Sequence, residues 1–158
     1  MEITDFLSPT EVIVNAGAPD KNRLLTDLCN RAASTLKLDP SRITADILKR
    51  ENLGSTGMGG GVAIPHARLS DLKKPFGALA RLRSPIDFDA IDRQPVDIVF
   101  LLLLPTSTAG EQLNVLALVA RKLRDADVVR DARRASDAAA LFAVMAKRWS
   151  APLKSGPA

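Results

Sequence analysis

The stretch "VDIVFLLLLP", residues 96–105, decides the fold class. It is an unbroken apolar run, the pattern of a strand covered on both faces rather than one that meets water at alternate residues. A run this short falls well below the ~20 residues a helix needs to cross a bilayer. A strand covered twice needs a layer on each side, and the flanking sequence supplies them. Upstream, "GVAIPH" (61–66) and "FGALARLR" (76–83) are shorter strand candidates, with "SPIDFDAIDRQ" (84–94) an extended piece and a turn. Prolines recur every ten residues from Pro65 to Pro105, but the segments between them are unlike, so strands parted by turns explain the spacing better than a repeat.

Further out lie the helices. "EVIVN" (11–15) reads as a first strand, and Asp20 then caps a helix carrying Leu24, Leu25, Leu28, Ala32 and Leu36 on one face. "LDPS" (38–41) breaks it, and Ser41 caps a second helix, "RITADILKREN" (42–52), with Ile43, Ile47 and Leu48 at helical spacing. After Pro105, "TAGEQLNVLALVARKLRD" (108–125) places Leu113, Leu116, Ala117, Ala120 and Leu123 on one face. Its last-turn Arg and Lys favour the helix dipole. "DADVVRDARRA" (125–135) is a short helix, and Ser136 caps another over 136–149 whose Leu141, Val144, Met145 and Trp149 face inward. The order predicts an α/β sandwich with a mixed sheet. Residues 1–150 are expected to form one domain and 151–158 a disordered tail.

Composition narrows the function classes. The chain of 158 residues is 46% apolar and 25% charged, as soluble globular proteins are. Its formal net charge is +4, with basic and acidic residues interleaved along the sequence, and it has no Tyr. Nucleic-acid binding would call for a basic stripe or stacking aromatics, so it is not expected. Cys29 stands alone at an apolar helical position, which excludes a disulfide framework and fits a buried thiol in a reducing compartment. The start "MEITDFLSPT" has none of the features of a signal peptide, and a cytoplasmic protein with no membrane insertion is expected.

"GSTGMGGGVAIPHARL" (54–69) holds five of the nine glycines and the only histidine, His66. Glycines at 54, 57, 59, 60 and 61 imply positive φ or a close approach to the backbone, and such a loop can aim several N–H groups at an anion. Ser55 and Thr56 add hydroxyls. The nucleotide-binding P-loop is excluded for want of its lysine, and the dinucleotide fingerprint because the run follows a helix. A metal site lacks further ligands, and a hydrolase lacks a recognisable nucleophile and orienting acid. A neutral imidazole can attack phosphorus itself, and Arg50, close in sequence, would offset the charge. From the residues alone, this reading and a plain histidine in a surface turn both stay open. The acidic cluster Asp87, Asp89 and Asp92 lacks the glycine and glutamate of a calcium loop and reads as a solvated turn. "RDARRA" and "KRW" read as solvated helix faces, while Arg68 is a candidate for docking an acidic partner.

The motif "RENLGSTGMGGGVAIPH" (50–66) resembles the active-site signature of the mannitol/fructose-type IIA domains of the bacterial phosphoenolpyruvate-dependent phosphotransferase system. "PIDFDAIDRQPVDIVFLLLLP" (85–105), the start "ITDFLSPTEVIVN" and "LNVLALVARKLRD" are similar to the nitrogen-regulatory branch of that family, the IIA-Ntr or PtsN proteins. The resemblance implies a three-layer α/β/α sandwich whose mixed sheet has about four to five strands. It implies phosphorylation of His66 on Nε2, stabilised by Arg50, in a pocket shaped by Gly54, Ser55, Thr56 and Gly57, with no cofactor. It also implies a phosphocarrier partner of the HPr type from the nitrogen branch, and regulatory targets such as potassium transport or sensor-kinase systems. One departure stands out: Gln112 matches a second histidine found in many relatives, and an amide can donate a hydrogen bond but carries no charge. Two further readings stand beside this one: a free-standing IIA component feeding a sugar permease, and, given weight by the missing second histidine, a binding protein that has lost phosphorylation.

Overall fold

A computed structural model describes residues 1–106 and 109–147. Trp149 and the tail 151–158 lie outside the described residues. The elements run in chain order as β1 (Leu7–Ala16), α1 (Lys21–Leu36), α2 (Pro40–Leu53), β2 (Gly57–Gly59), β3 (Val62–Ala63), β4 (His66–Leu69), β5 (Phe76–Ile86), β6 (Val96–Pro105), α3 (Ala109–Arg124), α4 (Ala126–Arg134) and α5 (Ala138–Ala146). A single 3₁₀ turn, Ile3–Asp5, precedes β1.

The strands form one mixed sheet in the order β1-β5-β6-β3-β2, with β4 continuing beside β6 where β3 stops. β6 runs antiparallel to β5 and parallel to β3 and β4, and β1 runs parallel to β5. All ten of its residues except Asp97 are buried. Its alternate residues divide the core in two. Val99, Leu101 and Leu103 pack with Leu24, Leu25, Leu28, Ile43 and Ile47 of α1 and α2. Ile98, Phe100, Leu102 and Leu104 pack with Val115, Val119, Leu123, Val129, Leu141 and Met145 of α3, α4 and α5. The expected three-layer α/β/α sandwich is therefore present, built on the strand that the apolar run predicted.

Several details differ from the sequence reading. "GVAIPH" is two strand segments: a ladder bond from Leu102 N–H to the Pro65 carbonyl holds the gap between β3 and β4 against β6. The glycine run itself supplies β2, which pairs antiparallel with β3 across a tight turn. Gly59, Gly60 and Gly61 there have φ of 95°, 67° and 82°, a conformation that costs glycine little. Two caps shift. Asp39, not Ser41, caps α2, with Pro40 as its first residue, because proline lacks only an N–H that a first turn leaves unused. Asp137, not Ser136, caps α5.

On α3 the buried stripe is Val115, Val119 and Leu123. Of the face expected to be buried, Leu123 alone is; Leu113 is 66% exposed, and Leu116, Ala117 and Ala120 line an open cleft. The helix carries two apolar stripes, and the register against β6 chooses the β-branched one. Cys29 is fully buried, and burial pushes its thiol up to about 11 against a hydrogen bond from Thr44. No described helix is long and apolar enough to cross a membrane.

Candidate phosphoryl-acceptor site

His66 opens β4, opposite Leu102 in register, at the end of the sheet where α3 crosses the layer. The Nδ1 atom lies 2.8 Å from the Ile64 carbonyl oxygen. A carbonyl only accepts, so Nδ1 carries the proton and donates it. Nε2 is left with its lone pair free. The imidazole is half-buried, and burial holds its pKa below the usual 6.5. The Ile64 carbonyl and Glu51 oppose that shift, while the Arg50 and Arg68 guanidiniums reinforce it. Near neutral pH the ring is thus an uncharged nucleophile with a fixed tautomer.

Two clefts meet at this ring. One, of about 610 Å³, is lined by Arg50, Ser55, Thr56, Gly57, Met58, Ile64 and His66 on one wall and by the exposed α3 stripe with Arg121 and Arg124 on the other. The second, of about 460 Å³, shares Arg50 and His66 and is lined also by Gln112, Arg68, Lys49 and Leu53. Arg50, in the last turn of α2, is half-buried and donates from Nη1 to the Gly54 carbonyl at 2.8 Å. That bond holds the guanidinium across the helix end. Gly54 contributes through this carbonyl; it does not line either cleft, its backbone is extended, and a Cβ there would meet open space.

The polar groups of the loop are turned inward. Ser55 Oγ donates to the Phe88 carbonyl at 2.6 Å and accepts from Gly57 N–H at 3.0 Å. Thr56 donates from its N–H and its hydroxyl to the Glu51 carboxylate, and Gly60 N–H donates to Asp92. These donors brace the loop, while Ser55, Thr56 and Gly57 line the cleft beside His66. Gly57 is required sterically, since a Cβ there would lie 2.8 Å from that of Ala90. Arg50, Arg121 and Arg124 bring positive charge to the same cleft.

Glu51 and Lys21 were not singled out by the sequence, yet they underlie the loop. Glu51 Oε2 lies 2.8 Å from Lys21 Nζ with both side chains largely buried, and Lys21 also reaches the Phe88 carbonyl at 3.3 Å and sits 4.7 Å above the Phe88 ring. The signal was available: Ile43, Ile47 and Glu51 fall at i, i+4 and i+8, which puts the carboxylate on the buried face of α2. Arg121 and Arg124, which in sequence fit as helix-dipole partners, also continue the α3 stripe at helical spacing and line the cleft. Gln112 is buried, its amide donating to the Pro105 carbonyl, and its Oε1 has no partner among the described residues. No group of three or more His, Cys, Asp or Glu able to hold a metal occurs among the described residues.

A half-buried, tautomer-fixed histidine shares its clefts with an anchored arginine on a three-layer sandwich, and comparison with known proteins gives the family of that fold. The model of the phosphoenolpyruvate-dependent sugar phosphotransferase system EIIA 2 family matches residues 5–148. The chain belongs to that family, in its nitrogen-regulatory branch. It is 42% identical over 146 residues to a nitrogen regulatory protein of Bradyrhizobium diazoefficiens, covering 92% of this chain and 95% of the relative. A nitrogen regulatory protein of Pseudomonas aeruginosa is 39% identical with the same coverage. The crystal structure of the nitrogen regulatory protein IIA-Ntr from Neisseria meningitidis superposes with a TM-score of 0.86 at 33% identity, over 90% of this chain and 98% of that one.

Proposed function

We propose that this protein is a phosphocarrier of the nitrogen-regulatory phosphotransferase system that accepts a phosphoryl group on Nε2 of His66 and acts through its phosphorylation state. The observation that carries this is the Nδ1–H bond to the Ile64 carbonyl, which leaves Nε2 uncharged and open to a cleft walled by arginines. The donor is a phosphohistidine on a carrier protein of the HPr type. The Nε2 lone pair attacks phosphorus in line and a new N–P bond forms. The donor's N–P bond breaks, and its electron pair returns to the donor imidazole. Arg50 faces the transferring group and offsets its charge, and because the Gly54 carbonyl already orients it, little reorganisation is needed. Gln112 stands where many relatives have a second histidine. It donates to Pro105, so transfer proceeds without a second titrating ring.

A phosphoryl group brings roughly two negative charges to this face. Downstream targets, potassium-transport or sensor-kinase systems in the family, would read that change in charge at the surface. Incubation with phosphoenolpyruvate, enzyme I and either the nitrogen-branch or the sugar-branch carrier tests the reading. We expect an acid-labile, base-stable phosphate, lost in His66→Ala and formed faster from the nitrogen-branch carrier. Faster transfer from the sugar-branch carrier would assign the protein to sugar uptake. No phosphate from either would leave a protein that acts by contact alone.

A further inference from the structure

The excess charge of this chain, interleaved in sequence, is gathered in space. The two clefts at His66 are lined by five cations, Lys49, Arg50, Arg68, Arg121 and Arg124, and by one carboxylate, Asp46. That surplus equals the formal +4 of the whole chain. None of the five is in an ion pair among the described residues, whereas Arg23, Arg42, Arg130 and Arg133 elsewhere each hold an aspartate. Between them lie apolar side chains that the fold leaves uncovered: Leu53 is 82% and Leu113 66% exposed, and Leu116 lines both clefts. A surface with an apolar centre and a rim of unpaired charge has the anatomy of a docking site.

We propose that this face docks a protein whose own contact surface carries an apolar centre ringed by carboxylates; the inference rests on the phosphoacceptor reading above. Charge complementarity selects the partner, because a basic surface would meet five uncompensated cations. A nucleic acid is the poorer fit, since neither cleft is lined by a Phe or Trp on which successive bases could stack. The same charges give direction to the exchange. Phosphorylation of His66 removes about half of the surplus, so an acidic partner binds the unphosphorylated face more tightly and leaves once the phosphate has arrived.

The test measures kcat/KM for transfer to His66 from the phosphorylated nitrogen-branch carrier, divided by the rate from phosphoramidate, a small donor that needs no docking surface. This ratio should fall about tenfold or more between ~20 mM and ~500 mM salt, as steered association does. Arg68→Glu/Arg121→Glu, which alters one exposed and unpaired side chain in each cleft, should lower it at least tenfold at low salt. The neutral Arg68→Gln/Arg121→Gln should fall between. A ratio unmoved by salt and by charge reversal, or raised by reversal, overturns the inference and leaves the phosphoacceptor reading standing. Failure of both donors to label His66 overturns that reading and the inference with it. A single-stranded RNA 20-mer that binds more tightly than the carrier and loses affinity in the same variants would also overturn it.

Discussion

Replacing Lys21 by Met should destabilise the protein far more than a lysine substitution ordinarily does. Lys21 Nζ lies 2.8 Å from Glu51 Oε2, and the two side chains are only 14% and 2% exposed. Removing one partner of a buried pair costs about 3–5 kcal/mol, because the remaining charge is left without compensation. Here the lower end applies, since Glu51 keeps the N–H and the hydroxyl of Thr56 as donors. A loss of about 3 kcal/mol corresponds to a fall in Tm of roughly 6–12 °C for a chain of this size. Urea titration should show the midpoint moving down with an unchanged slope, as expected when stability changes and the exposed area does not. Adding Glu51→Gln to Lys21→Met should recover roughly half of the loss, because an amide still accepts from Thr56 without burying a charge. A loss below about 1 kcal/mol, the value for solvent-screened pairs, would refute the claim that this pair anchors the loop.

Other consequences are as specific. Gly57→Ala should cost roughly 1–3 kcal/mol through its collision with Ala90, and Ala90→Gly should relieve most of it; equal stability of single and double variants would contradict the contact. Gly54→Ala, by contrast, should change the unfolding midpoint very little, since a Cβ there meets nothing within 4 Å. Because burial holds the folded-state pKa of His66 below its usual 6.5, the unfolded chain takes up a proton first as pH falls. The contribution of His66 to stability is therefore nil above pH 6.5 and becomes increasingly unfavourable as pH drops from there to the folded value. His66→Gln should flatten that part of the stability profile relative to wild type, and identical slopes would show the shift to be absent. Arg50→Ala should slow phosphorylation by about a hundredfold or more, the scale of losing one preorganised charge partner, with a far smaller effect on Tm.

The fold was legible where a single physical signal dominated. The run 96–105 had no reading other than a strand covered on both faces, and Leu24, Leu25, Leu28 and Ala32 left little doubt about α1. The signal failed where two patterns competed on one element. α3 carries Leu113, Leu116, Ala117 and Ala120 on one stripe and Val115, Val119 and Leu123 on another, and helical spacing cannot say which one faces the sheet. The stripe that does not face the sheet lines the cleft beside His66. At the glycine loop, composition gave the backbone freedom correctly for residues 59–61 but could not show where the N–H groups point. Their partners, Glu51 and Asp92, come from α2 and from the turn before β6, and such pairings are set by the tertiary fold. The gathering of cations at His66 was likewise invisible in sequence, because it joins residues from α2, β4 and α3.

The ring nitrogen that carries the phosphate tests the account most directly. The protein, labelled with ¹⁵N at His66 and phosphorylated by the nitrogen-branch carrier, can be examined by ¹⁵N–³¹P correlation NMR. The Nδ1–H bond to the Ile64 carbonyl predicts coupling of phosphorus to Nε2 alone, with the Nδ1 proton retained. Coupling to Nδ1, or a phosphate that persists in His66→Ala, would contradict it.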